Sequence, residues 1–383
     1  MAAASSGQAI EIRTAVLRVD EPAGTLPISR LDLPPDDLGF AGAQLGQEDN
    51  QTTGVFLGQD FLLETRNVAP DAAVDAAQAL IEAGYDKLVV LAPRDTLLAV
   101  ADAAGDKALI LDALAPDDDL RSGACRANTL HVAPSRAMRT DALIQYLVWK
   151  QWPRILLVYG SHPEDSALAA AYRHSADKFR ARIVDEREFE DTGGARRTDT
   201  GFAQVQRQIP TFTQNVRTYD VTVAADEAGV FAAYLPFRTW DPRPVAGSAG
   251  LEPVTWHPAH EAWGATQFQN RFEAMAHRPM REEDYQAWLA LRVIGEAATR
   301  TGSADPSALR AYALGSDFSV GGFKGEKLSF RDWNGQLRQP ILLTDGHVTV
   351  SVSPQEGFLH QRSALDTLGL DKPESACAAF NGD

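Results

Sequence analysis

The feature that most constrains this chain is an alternation of two kinds of segment. Short apolar runs suited to buried strands alternate with amphipathic stretches of ten or more residues, and the whole alternation occurs twice. Parallel strands need a crossover long enough to hold a helix, so this spacing predicts βαβ units and parallel sheets. The first set opens with the strand IEIRTAVLRV (10–19) and a helix over residues 36–53, behind Pro34 and Pro35 and with Asp36 as N-cap. It continues through DFLLETRNV, PDAAVDAAQALIEAG, DKLVVLAP, RDTLLAVADAAG, KALILDAL and NTLHVAPS, which alternate strand and helix until two strands close the set. The second set opens with the helix RAMRTDALIQYLVWKQW and the strand RILLVYG. It continues through PEDSALAAAYRHSADKF, ARIVDEREF, GFAQVQRQIP, YDVTVAAD and RPVAGSAGL. Residues 267–314 read as helical. The chain then turns to hairpins at Asn334–Gly335 and Asp345–Gly346, both strong turn dipeptides.

At 383 residues the chain exceeds one ordinary core, so two lobes are expected. The formal net charge of −16 repels nucleic acid and anionic membranes, and no apolar run is long enough to span a bilayer. Neither nucleic-acid binding nor membrane insertion is therefore expected. The opening MAAASSGQAIEIR lacks the basic and apolar regions of a signal peptide and reads as a mature N-terminus behind an added Met. Two cysteines, Cys125 and Cys377, fit either one disulfide in an oxidising compartment or two unrelated buried thiols. Enzyme signatures are missing: there is no G-x-S-x-G, no Walker A and no H-E-x-x-H. GGFKGEK has the wrong spacing for a phosphate loop, and the adjacent Ser161 and His162 do not make a catalytic pair. No catalysis and no cofactor are expected.

Four segments carry a family resemblance. AVLRVDEPAG opens the first α/β set, RILLVYGSHPEDSALAAAYR opens the second, PVAGSAGLEP lies late in the second, and SFRDWNGQLRQPILL lies near the end. With these the chain resembles type I periplasmic solute-binding proteins of ABC transporters, on the branched-chain amino-acid branch. The last segment, with GFLHQRSALDTLG, is similar to a subgroup encoded beside PQQ-dependent alcohol dehydrogenases, some of whose systems are associated with lanthanide uptake. The resemblance implies an α/β fold of two Rossmann-like lobes with parallel-rich sheets joined by a three-crossing hinge. It implies residues 1–135 plus 258–322 as lobe one, 136–257 plus 323–352 as lobe two, and 353–383 as a tail packed on lobe one. The crossings fall near residues 134–136, 256–263 and 319–325, the last holding Gly321 and Gly322, whose freedom suits a hinge. A monomer in the periplasm is implied, capturing a small molecule or metal ion between the lobes and delivering it to a permease in the inner membrane.

In amino-acid-binding relatives, two lobe-one loops hold the ligand carboxylate with small and hydroxyl residues. Here those loops read LAPRDTLL and DALAPDDDLRSG. Thr96 can replace one hydroxyl, whereas Asp95, Asp117 and Asp118 repel a carboxylate and attract a cation. Asp226 and Glu227 stand in lobe two where relatives place glycines or aromatics, and Ser248 follows a later strand. A hard cation would draw on Asp95, Asp117, Asp118, Asp226 and Glu227, while His257, His260 and Glu261 of WHPAHE are the candidates for a borderline metal. The bland reading of the aspartate run Asp117–Asp119 is a capped, solvated turn. Tyr285 and Trp288 match a helix start where relatives aim an aromatic at the cleft, with core packing as the alternative. Cys125 lies between two lobe-one strands, and the tail holding Cys377 is long enough to return there, so a Cys125–Cys377 disulfide is expected.

Overall fold

The computed structural model describes residues 9–20, 33–191 and 204–380. The first set forms β1 (Ile10–Val19), α1 (Phe40–Leu57), β2 (Gln59–Val68), α2 (Ala73–Glu82), β3 (Lys87–Leu91), α3 (Arg94–Ala104), β4 (Leu109–Asp112) and β5 (Thr129–His131). Its strands make one parallel sheet in the order β2-β1-β3-β4-β5. Every residue of β3 and β4 is buried, because helices cover both faces and an apolar run leaves neither face for water.

The second set forms α4 (Arg136–Trp149), β6 (Arg154–Gly160), α5 (Pro163–Phe179), β7 (Arg182–Phe189), α6 (Val205–Phe212), β8 (Val221–Ala225), β9 (Val245–Gly247) and β10 (Glu252–Val254). Here β7-β6-β8-β9 make a second parallel sheet. The chain continues with α7 (Ala265–Ala276), α8 (Glu282–Thr301) and α9 (Pro306–Leu314), then β11 (Val320–Gly321), β12 (Lys327–Phe330), β13 (Leu337–Arg338), β14 (Ile341–Thr344) and β15 (Thr349–Ser353). α8 packs along α1 and buries Trp288, Leu291 and Ile294 in the first core, so this helix belongs to lobe one. β10, β14 and β15 form a small antiparallel sheet against α4, in lobe two. Among the described residues no helix is long and apolar enough to cross a membrane.

Three elements depart from the sequence reading. The first helix starts at Phe40, not Asp36. Gly39 turns with φ 78° and donates its N–H to Asp284 (2.8 Å), so the chain first docks on α8 and then winds. The strands β12 and β13 lie with β11 in lobe one, although residues 323–352 are expected in lobe two. Val320, Leu328, Phe330 and Leu337 enter the first core, and the His131 N–H bonds to Gly335 O (2.8 Å), tacking this hairpin onto the edge of the first sheet. The third crossing therefore falls at Gln339–Pro340 instead of the Gly321-Gly322 pair. Finally, the tail touches both lobes. Gly369 N–H donates to Asp141 of α4 and Gln145 bonds to Thr367, while Cys377 is disulfide-bonded to Cys125 with a Cα separation of 5.6 Å. The expected pairing of the two cysteines is thus found.

Candidate functional site: the inter-lobe cleft

A cavity of about 280 Å³ lies between the lobes, walled by Leu114 and Pro116 from lobe one and by Tyr172 and Ser248 from lobe two. Its lobe-one wall is the loop that leaves β4. Asp112, fully buried at the strand end, accepts hydrogen bonds from Leu114 N (3.1 Å) and Ala115 N (2.9 Å). Arg121, also buried, donates to Asp112 (3.1 Å) and to the carbonyls of Ala115 (2.8 Å), Asp117 (3.0 Å) and Ala133 (2.8 Å). A buried guanidinium is tolerated only with such saturation, and here the saturation fixes the loop backbone.

The three consecutive aspartates do three different jobs. Asp117 accepts from Arg136 (2.7 Å) at the start of α4. Asp118 accepts from Ala137 N (3.1 Å) at the same helix start, and burial raises its pKa despite that bond. Asp119 faces outward and pairs with Arg94. The capped, solvated-turn reading describes Asp119, while Asp117 and Asp118 both reach across to the lobe-two helix.

Lobe two answers with opposite charge arrangements. Glu227 grips Arg136 through both oxygens, at 2.7 and 2.6 Å. Asp226 is engaged by the backbone, accepting from the N–H groups of Val230, Phe231 and Ala232 at 2.6–2.7 Å. The Ser248 hydroxyl oxygen accepts from Asp226 N (3.0 Å), which leaves its proton free to donate. One turn beyond Arg136, Arg139 pairs with Glu282 at the head of α8 (3.0 Å), so a second ion pair joins the lobes. Burial works against the Glu282 carboxylate, but the charge of Arg139 and the bonds from Thr255 outweigh it and hold the pKa below the usual range.

Several expected site residues lie elsewhere. Asp95 is 90 % exposed beside Arg94, and Thr96 sits half-buried on the same turn without reaching the cavity. Tyr285 and Trp288 are core residues: Tyr285 stacks on Trp256 at 5.0 Å and donates to Gly322 O, and Trp288 Nε1 donates to Asp49. An α8 face carrying Leu289, Leu291 and Val293 pulls both rings inward. His260 bonds to Phe323 O and Thr349, and His257 accepts from its own turn. Among the described residues no group of three or more His, Cys, Asp or Glu is placed to hold a metal ion. The cleft residues missed in the sequence are Arg136, Arg139, Tyr172 and Glu282. The first two follow a predicted crossing in RAMR, which was the available signal; nothing local marks Tyr172.

The model of the periplasmic binding protein family matches residues 39–346. A branched-chain amino-acid ABC transporter periplasmic ligand-binding protein from Burkholderia xenovorans LB400 shares the fold with a TM-score of 0.74. It is 15 % identical, over 97 % of this chain and 100 % of that one. A periplasmic binding protein from Burkholderia mallei aligns with a TM-score of 0.66 at 12 % identity, over 97 % and 99 % of the two chains. An ABC transporter solute-binding protein from R. palustris, solved with benzoate, aligns with a TM-score of 0.65 at 14 % identity, over 96 % and 99 %. No curated protein sequence matched. With a family model spanning both lobes and a cleft between them, the chain belongs to the periplasmic binding protein family.

Proposed function

We propose that this protein is the periplasmic solute-binding component of an ABC transporter, capturing a small solute in the inter-lobe cleft for an inner-membrane permease. The observation that carries this reading is the 280 Å³ cavity walled by both lobes, a volume suited to a small metabolite. Support comes from similar proteins named as ABC transporter binding proteins, one of them solved with benzoate. The likeness of SFRDWNGQLRQPILL and GFLHQRSALDTLG to binding proteins of PQQ-dependent alcohol oxidation supports a solute from that chemistry. Of the five acids offered for a hard cation, Asp226 is held by backbone amides and Asp95 faces solvent, which favours an organic solute over a metal.

The test is a thermal-shift screen of metal-free protein against amino acids, aromatic acids, alcohols, their derived acids, PQQ, Ca²⁺ and lanthanides. A native-state ligand at a hundred times its Kd stabilises by about 2.7 kcal/mol. The reading expects a rise in Tm with an organic solute, lost in Arg139→Ala. A rise with lanthanide alone, or one indifferent to cleft substitutions, overturns it.

A further inference from the structure

The charged groups of the cleft are already committed to one another. Arg136 is held by Asp117 and by both oxygens of Glu227, and Arg139 by Glu282. Among the described residues, Asp117 and Glu227 are engaged by Arg136 and Glu282 by Arg139, so an entering carboxylate gains no free guanidinium here and an entering ammonium gains none of these three carboxylates uncommitted. What remains uncommitted is neutral. Tyr172 is 2 % exposed and lines the cavity from α5, and its hydroxyl makes no hydrogen bond with any described residue. Burial pushes its pKa upward, so the phenol keeps its proton. Ser248 has a proton to donate, because its oxygen already accepts from Asp226 N. Each leftover hydroxyl has a proton to give, which an acceptor oxygen on the ligand would take. Leu114, Leu168 and Val254 supply apolar wall for the rest of the ligand.

Resting on the cleft reading above, we infer that Tyr172 and Ser248 select an uncharged solute that presents a hydroxyl or carbonyl oxygen on a small apolar body. The full-length protein is titrated calorimetrically with four probes sharing one ring: benzamide, benzyl alcohol, benzoate and benzylamine. Butyramide and n-butanol, with butyrate and butylamine, repeat the comparison on an aliphatic body. The expected result is that a neutral member of at least one series binds ten times or more tighter than its charged partners. Tyr172→Phe weakens that binding about tenfold, as loss of one buried hydrogen bond does. Ser248→Ala gives a second, independent loss should the Phe variant fail to fold, which its unliganded melting curve reports. Tighter binding of benzoate, butyrate or the amines overturns the inference, as does a neutral ligand unaffected by both variants or the absence of neutral binding. Leu114→Trp, which fills the cavity, separates the two failures. If it abolishes binding that the hydroxyl variants leave intact, the cleft reading stands and the neutral-acceptor inference falls. If it leaves binding intact, the cleft reading falls.

Discussion

Lys324 shows at the residue scale how the hinge is held together. Its ammonium is buried, donates to Thr255 O (3.1 Å) and Gln339 Oε1 (2.7 Å), and lies 4.7 Å from the centre of the Tyr285 ring. Gln339 in turn donates to Val132 O (2.7 Å), so one lysine and one glutamine tie the three crossings together. Burial among neutral partners lowers the lysine pKa well below its usual value of 10.5. The unfolded chain then binds more protons than the folded one between the depressed pKa and 10.5. Stability from this group is complete above 10.5 and is lost as pH falls through the folded pKa. Denaturant unfolding should therefore show stability rising as pH climbs from the depressed pKa towards 10.5, by up to about 1.4 kcal/mol per pH unit. In Lys324→Met that part of the slope should vanish. An unchanged slope would show that the charge is carried at no cost.

At the element scale, the C-terminal segment works as a strap. Leu368 packs with Met138, Ala142 and Ile341 of lobe two, and Arg331 of lobe one donates to Leu368 O (2.6 Å) and Asp366 (2.9 Å). Beyond it, Ser375 donates to Arg121 O (2.8 Å), and Cys377 closes a covalent loop of 252 residues to Cys125. Closing so long a loop removes much freedom from the unfolded chain, for a stabilisation of about 3–5 kcal/mol. Cys125→Ser with Cys377→Ser should lower Tm and expose the strap to limited proteolysis. Its end is anchored directly behind the Arg121 that fixes the cleft loop, so ligand affinity should fall as well. Loss of stability with unchanged affinity would show that strap and cleft loop are independent.

On the scale of the whole molecule, two ion pairs among the described residues bridge the lobes beside the cavity, Arg136–Asp117 and Arg139–Glu282. They join the start of α4 to the β4 loop and to the head of α8, so the spacing of the lobes and the shape of the cavity are set together. Glu282→Gln leaves Arg139 without a charge partner in a partly buried place and should cost about 1–3 kcal/mol. The loss should appear at pH 7 and shrink as pH falls through the depressed Glu282 pKa, where the wild-type carboxylate is itself protonated. Small-angle scattering should show a larger radius of gyration for the variant without ligand. A variant equally compact, with unchanged hydrogen exchange at the crossings, would show that this pair does not hold the lobes.

The sequence by itself determined the elements and their order. Period and turn chemistry are local properties, so the strand at residues 10–19, the helical character of residues 267–314 and the hairpins at Asn334–Gly335 and Asp345–Gly346 were readable from the sequence. The disulfide was expected because the tail holding Cys377 is long enough to return to the lobe that carries Cys125. The tertiary structure alone decided which polar groups meet. Asp95 and Asp117 look alike as loop aspartates, yet one faces water and the other faces Arg136, 19 residues further along the chain. Tyr285 and Tyr172 are both tyrosines on amphipathic helices, and only packing turns the first into the core and the second to the cavity. Local pattern fixes a side chain's position on its own element. The charge or hydroxyl opposite it depends on contacts between segments far apart in sequence, which no local pattern encodes.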